Sequence, residues 1–163
     1  SSAVVQLAED AELQQAVRAD RSLIPNFIEE SLRIESPVRG DFRMAKVPVE
    51  VGGVQLPAGT IVMLLNAAAN RDPSHFPDPA TFDLRRANAR HHIAFGRGVH
   101  SCPGAPLARA EAVVSLNRLL DRTTGLRLNE EFHGPAGDRR FHYVPTFILR
   151  GITRLYLDID VAG

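Results

Sequence analysis

Phe95-Gly96-Arg97-Gly98-Val99-His100-Ser101-Cys102-Pro103-Gly104 is the stretch from which the rest of the chain can be read. It is a glycine-rich loop that delivers a thiol to the start of a helix. Pro106 suits a first helical turn, Leu107, Val113, Leu116 and Leu120 recur near helical spacing, and Gly125 follows soon after, so the pattern predicts a helix over Pro106 to Arg122. A helix N-terminus offers positive potential and free N–H groups, and Arg97 and His100 add positive charge nearby; all of these favour a thiolate over a thiol. The glycines remove side chains that would hold a flat, bulky ligand off the backbone. Taken alone, a single cysteine in such a loop is more often a small buried hydrophobe.

Outward from that loop the chain changes character twice. Toward the N-terminus helices dominate. Ser1 to Ala8 reads as helix with no cap, as if the chain began inside a longer one, and Asp10 is a plausible cap for Ala11 to Arg18. Ser22 is a candidate cap for a further helix that sets Phe27, Ile28 and Leu32 on one side and stops at Ser36, because Pro37 disfavours helical geometry in the residue before it. From Val47 the runs become β-branched: Val47 to Val51, Val54 to Leu56 and Thr60 to Leu65, broken by Gly52-Gly53 and Pro57-Ala58-Gly59, predict one small antiparallel sheet. Arg71 to Pro79 is too proline-rich for regular structure and too aromatic for a floppy linker, so it reads as a packed loop. Leu155, Leu157 and Ile159 alternate with Tyr156 and Asp158 as in a strand with one buried face. The fold class is therefore α+β, mainly helical, with small antiparallel sheets.

The bulk properties narrow the function classes. The 163 residues, 44% of them hydrophobic and 23% charged, are enough for one domain with a real core. Nineteen basic residues balance nineteen acidic ones, so the overall field gives no reason to expect nucleic acid or an acidic membrane surface as partner. Only Lys46 among the basic residues is a lysine, and the arginines suit planar recognition of carboxylates. One cysteine excludes an internal disulfide framework and fits a reducing compartment. No apolar run approaches the roughly 20 residues needed to span a bilayer, and no signal-type start is present, so the chain is read as soluble and cytoplasmic.

As a whole, Phe95-Gly96-x-Gly98-x-His100-x-Cys102-x-Gly104 resembles the haem-thiolate signature of the cytochrome P450 family, of the bacterial soluble type. The resemblance implies that Cys102 is the proximal ligand of haem b, that Phe95 packs near its sulfur with Gly96 and Gly104 beside it, and that His100 and Arg97 meet the haem propionates. A thiolate pushes electron density onto iron and favours O–O cleavage, and N–H groups around the sulfur tune that push. Glu30-Ser31-Leu32-Arg33, 72 residues before Cys102, puts opposite charges three apart on a helix; by itself this is an ordinary ion pair of about 0.2–0.5 kcal/mol. It resembles the family's Glu-x-x-Arg helix, which implies a third member, Arg86, and a buried ion-pair lock for the haem loop. Arg43, after Gly40-Asp41-Phe42, matches the family arginine that reaches a propionate, where a guanidinium fork suits a carboxylate. Val38, Phe147 and Ile148 fall where relatives touch substrate, which implies a hydrophobic small molecule.

Carried over in full, the resemblance makes residues 1–163 the C-terminal, haem-binding portion of a single cytochrome P450 domain, with the N-terminal part and its acid-Thr oxygen-activation helix absent. No catalytic residue is therefore assigned within the chain. The implied activity is insertion of one oxygen atom from O2 into an apolar substrate, with NAD(P)H-derived electrons arriving through a ferredoxin-type partner; Arg97, Arg109 and Arg118 are docking candidates. An inactive fragment, or a haem-binding remnant or sensor without catalysis, stands as the alternative. Other readings of the same residues are weaker. His91, His92, His100 and Cys102 lack the paired spacing of closed zinc sites. Cys102 with His100 as nucleophile and base lacks a third orienting group.

Overall fold

The computed structural model describes residues 2–163. Helices α1 (Ser2–Glu9), α2 (Ala11–Ala19) and α3 (Ile24–Glu35) come first, and a hairpin of β2 (Val49–Val51) and β3 (Val54–Leu56) is flanked by β1 (Asp41–Met44) and β4 (Ile61–Leu64). A short α4 (Asn66–Ala69) leads into a long irregular segment, and the chain closes with α5 (Ala105–Arg122), β5 (Thr123–Leu128), α6 (Glu130–His133) and β6 (Leu157–Val161). Ser1 lies outside the described residues.

Asp10 caps α2 as its position suggests, its Oδ1 accepting the Leu13 N–H at 2.9 Å. The start of α3 differs from expectation. Asp20, not Ser22, does the capping: its carboxylate accepts from the Ser22 N–H at 3.0 Å and closes a 3₁₀ turn over Arg21–Leu23 that runs directly into α3. Ser36 ends α3 with φ 39°, and the left-handed conformation, uncommon for a residue with a Cβ, is tied down by its own side chain. Its Oγ donates to the Arg33 carbonyl at 3.0 Å and accepts from Asn70 Nδ2 at 2.9 Å.

The core is built on α3. Ile24, Phe27 and Ile28 of α3 join Leu7, Leu13, Val17, Leu116, Leu120 and Leu126 in one buried cluster, so α1, α2, α5 and β5 all converge there. Phe27 is fully buried and tilts against Phe82 with ring centroids 5.5 Å apart, a burial worth about 1.5–3 kcal/mol. Two polar side chains bind these layers. Gln14 donates to the Leu7 and Leu126 carbonyls and accepts the Leu126 N–H, satisfying backbone groups on the β5 edge. Arg18 reaches the carbonyls of Leu120 (3.0 Å) and Thr123, closing the C-terminal end of α5.

The β-rich segment forms two separate hairpin-like pairs instead of one sheet. β2 pairs β3 around the Gly52-Gly53 turn, whereas β4 pairs antiparallel with β1, a strand the β-branched pattern does not reveal, with Arg43 opposite Val62. Gly125 follows the end of α5 by three residues, as its position suggests, and lies within a strand. It sits at a register shift within β5, which pairs antiparallel with β6. That last pairing explains the alternation near the C-terminus but not as a buried strand: Leu157 is half-buried and Ile159 is 46% exposed although their partners Leu128 and Leu126 on β5 are buried, because β6 is the outer strand of a two-stranded ribbon. The proline-aromatic segment is indeed packed, with Phe76 buried beneath the Arg33 guanidinium at 5.2 Å.

Candidate functional site

The loop preceding α5 is shaped by its own backbone. Gly96 takes φ +71° and Gly98 φ +74°, and a Cβ on Gly96 would press within 3.3 Å of the His100 carbonyl, so glycine is required there both for conformation and for space. The turn brings the Cys102 N–H onto the Phe95 carbonyl at 2.8 Å, and the Ala105 N–H onto the Cys102 carbonyl at 3.2 Å. Cys102 is exposed, contrary to the small-buried-hydrophobe reading of a lone cysteine. Gly104 stands next to the sulfur, where an added Cβ would sit 3.8 Å from Sγ, and α5 begins at the next residue without a side-chain cap on its N–H groups.

Cys102 opens into a concavity of about 290 Å³. Leu32, Pro37, Val38, Ala94 and Phe95 give it apolar walls, and Arg43 and His100 line it along with Gly96 and Asp41. The Asp41 carboxylate accepts from Asn66 Nδ2 at 2.9 Å. The Arg43 guanidinium is exposed, donates only to the neighbouring Phe42 carbonyl at 2.8 Å, and has no carboxylate within salt-bridge distance among the described residues. Arg97 is exposed and does not line this concavity. Of the three substrate-side residues only Val38 lines it; Phe147 and Ile148 belong to a segment running antiparallel to Val38, joined by the Arg39 N–H to the Ile148 carbonyl at 2.7 Å. Phe147 is 70% exposed and packs edge-on against Phe42.

Behind the loop, Glu30, Arg33 and Arg86 meet in the interior. Arg33 Nε and Nη2 grip the two Glu30 oxygens at 2.7 and 2.8 Å, Arg86 Nε donates to Oε1 at 2.9 Å, and the Asp83 N–H adds a fourth bond at 3.0 Å. Glu30 and Arg33 are wholly buried and Arg86 nearly so. Each guanidinium spends its remaining N–H groups on carbonyls of the packed segment: Arg33 on Asn70, Pro79 and Thr81, Arg86 on Pro77, Asp78 and Thr81. Burial alone would raise the Glu30 carboxyl, but these hydrogen bonds and the Arg33 charge hold it below the usual carboxylate range. Asn70, buried beside them, passes the arrangement on: its Oδ1 accepts the Ile93 N–H at 2.7 Å, two residues before Phe95.

A second buried group was not legible in the sequence. Glu29, one residue before Glu30 and so about 100° around the helix, faces away from the first network. Its carboxylate receives Arg109 Nε at 2.6 Å and Nη2 at 3.0 Å, and lies 2.9 Å from His92 Nε2. The Ala94 N–H donates to His92 Nδ1 at 3.1 Å, which leaves Nε2 to carry the proton toward Glu29. His92 is thereby committed to Glu29, and among the described residues no three His, Cys, Asp or Glu side chains converge as a metal site. Burial would raise the Glu29 carboxyl, yet hydrogen bonds from His92 and Arg109, with the Arg109 charge, bring it down to about 2. Arg109, three-quarters buried, is not the free cation that a docking surface needs. Contact across 80 residues has no local signature in the sequence.

Whether the residues present suit a haem can be judged from these atoms. An exposed thiol at an uncapped helix N-terminus, glycines where side chains would crowd a flat group, an apolar wall, and an arginine and a histidine with free donors facing the same concavity form a suitable donor set. Among the described residues no helix is long and apolar enough to cross a membrane.

Comparison with known proteins agrees with that donor set. A family model described as Cytochrome P450 matches residues 3–124. Cytochrome P450 144 of Mycobacterium tuberculosis is 42% identical over 159 residues, covering 98% of this chain and 35% of that protein. The 6-deoxyerythronolide B hydroxylase of Saccharopolyspora erythraea is 41% identical over 144 residues, 88% of this chain and 34% of its own length. Among solved structures, substrate-free CYP150A6 of Mycobacterium marinum superimposes with a TM-score of 0.97 at 55% identity, covering 99% of this chain and 40% of that one. The chain thus spans about a third of the length of the curated relatives it matches, and its α+β architecture is part of their fold. With the family model covering most of the chain and the structural match nearly complete, this chain belongs to the cytochrome P450 family.

Proposed function

We propose that this chain forms the haem-holding portion of a monooxygenase that inserts one oxygen atom from O2 into a hydrophobic small molecule, using NAD(P)H-derived electrons brought by a ferredoxin-type partner. The observation that carries the reading is the exposed Cys102 thiol at the mouth of α5, opening into a largely apolar concavity that also presents Arg43 and His100. When bound, a thiolate-ligated haem b supplies oxygen activation and electron storage. The chain's own residues then have separable roles. Cys102, exposed at the start of α5, would be the iron ligand. Arg43 and His100, which line the concavity, would hold the propionates, with Arg97 on the exposed loop beside it as a third donor. Phe95, Gly96 and Gly104 would shape the protein surface next to the bound group, and the Glu30–Arg33–Arg86 network holds the segment leading to that loop. Val38, with Phe147 and Ile148 on the adjoining segment, faces the apolar substrate. The name of the hydroxylase relative supports oxygen insertion as the reaction class. The share of each relative that is matched supports treating residues 1–163 as one portion of a larger single domain.

The decisive experiment is the spectrum of the dithionite-reduced, haem-reconstituted protein under carbon monoxide, alongside Cys102→Ala. A long-wavelength Soret band present in the wild type and lost in the variant is the expected result. A wild type that binds haem with only a short-wavelength band removes Cys102 from the iron and the proposal with it.

A further inference from the structure

One carboxylate closes the Cys102 loop from both sides. Glu29 on α3 holds His92, ten residues before Cys102, and Arg109, seven residues after it, so the loop between these two residues is pinned at both flanks to the same helix. The grip on Arg109 is bidentate and therefore fixes the plane of the guanidinium, not only its position. That plane has a second neighbour: Arg109 Cζ lies 4.7 Å from the centroid of the Phe95 ring. Phe95 in turn accepts the Cys102 N–H through its carbonyl at 2.8 Å. The path from Glu29 to the cysteine backbone is thus continuous: carboxylate to guanidinium, guanidinium to ring, and from that ring's residue through its carbonyl to the Cys102 N–H.

We propose that Arg109, oriented by Glu29, is a positioning residue that holds Phe95, and through it the Cys102 backbone, in the one geometry suited to presenting the sulfur. It does not line the concavity into which Cys102 opens. Its importance for haem rests on the function proposed above, whereas the clamp itself is a property of the protein chain. An ordinary surface ion pair would contribute little and would leave the loop unchanged when cut. This pair is desolvated, doubly hydrogen-bonded and stacked, and it sits on the only side of Phe95 from which a cation approaches within cation–π range among the described residues.

The test uses the chain with and without haem. In the haem-free protein, amide exchange is followed by NMR for Cys102, with Leu126 and Leu128 of β5 as distant reporters. Arg109→Met should lower protection at Cys102 by about tenfold or more while leaving β5 within about twofold. Arg109→Lys, which keeps the cation but not the planar fork, should recover part of that protection. In the haem-loaded protein the same Arg109→Met should move intensity from the long-wavelength to the short-wavelength carbon monoxide band without abolishing haem uptake. Unchanged protection at Cys102, or an equal loss at Cys102 and β5 in both variants, would overturn the proposal, the second outcome making the pair a general stability element. If the wild type shows no thiolate-type band but Arg109→Met still loosens Cys102 selectively, the clamp stands and the haem-thiolate reading falls.

Discussion

Replacing Glu30 with alanine removes the one anion shared by two buried guanidinium groups. The carboxylate accepts four hydrogen bonds, from Arg33 Nε and Nη2, Arg86 Nε and the Asp83 N–H, all between 2.7 and 3.0 Å. Arg33 and Arg86 keep their bonds to carbonyls of residues 70–81, so neither cation can swing out to water without breaking the packed segment, whose Asn70 also holds the Ile93 N–H two residues before Phe95. Two like charges then face each other in the interior with a cavity between them. Breaking a buried pair from one side costs about 3–5 kcal/mol, a large share of the roughly 5–15 kcal/mol that keeps a domain folded. At roughly 2–4 °C per kcal/mol for a chain of this size, the melting temperature should fall by about 6–20 °C. Urea unfolding followed by circular dichroism measures the loss, and haem titration measures the consequence, which is that Glu30→Ala takes up no haem. Glu30→Gln, which keeps the shape and one acceptor oxygen, should fall between wild type and alanine. A destabilisation below about 1 kcal/mol, the range of an exposed pair, or normal haem uptake in a folded Glu30→Ala protein, would refute the view of this network as a lock.

Two further outcomes follow from the same geometry. Glu29 falls from an ordinary 4.5 to about 2 on folding, so its contribution is fully present above pH 4.5 and is lost as the pH drops from there toward 2; on the order of 3 kcal/mol disappears over that window. Glu29→Gln should be less stable than wild type at pH 7 and show a flatter fall below pH 4.5, and parallel acid-unfolding curves for the two proteins would contradict this. Gly96→Ala forces a Cβ into a φ of +71° and against the His100 carbonyl, which should cost about 1–2 kcal/mol by thermal unfolding and weaken haem binding, whereas an unchanged haem affinity would show that the turn can relax.

Sequence by itself determined those features that depend on neighbouring residues. The Cys102 loop declares itself because left-handed turns demand glycine and a helix start tolerates proline, and both requirements are local to Gly96, Gly98 and Pro106. Ser36 as the end of α3 is equally local, since Pro37 dictates it. The i, i+3 spacing of Glu30 and Arg33 puts them on one helix face, although their complete burial does not follow from spacing.

Tertiary structure decided whatever rests on contacts between distant residues. β1 contains too few β-branched residues to be seen as a strand and exists because β4 pairs with it; β5 follows α5 without a break because β6 supplies its hydrogen bonds from the far end of the chain. Ser22 lost the capping role to Asp20 because the 3₁₀ turn shifted the helix start by a few residues. Most of all, the roles of Glu29, His92 and Arg109 are set by the packing of α3 against α5 and the loop between them. A carboxylate, an imidazole and a guanidinium become one clamp only once burial removes water as their alternative partner, and that condition is imposed by the fold.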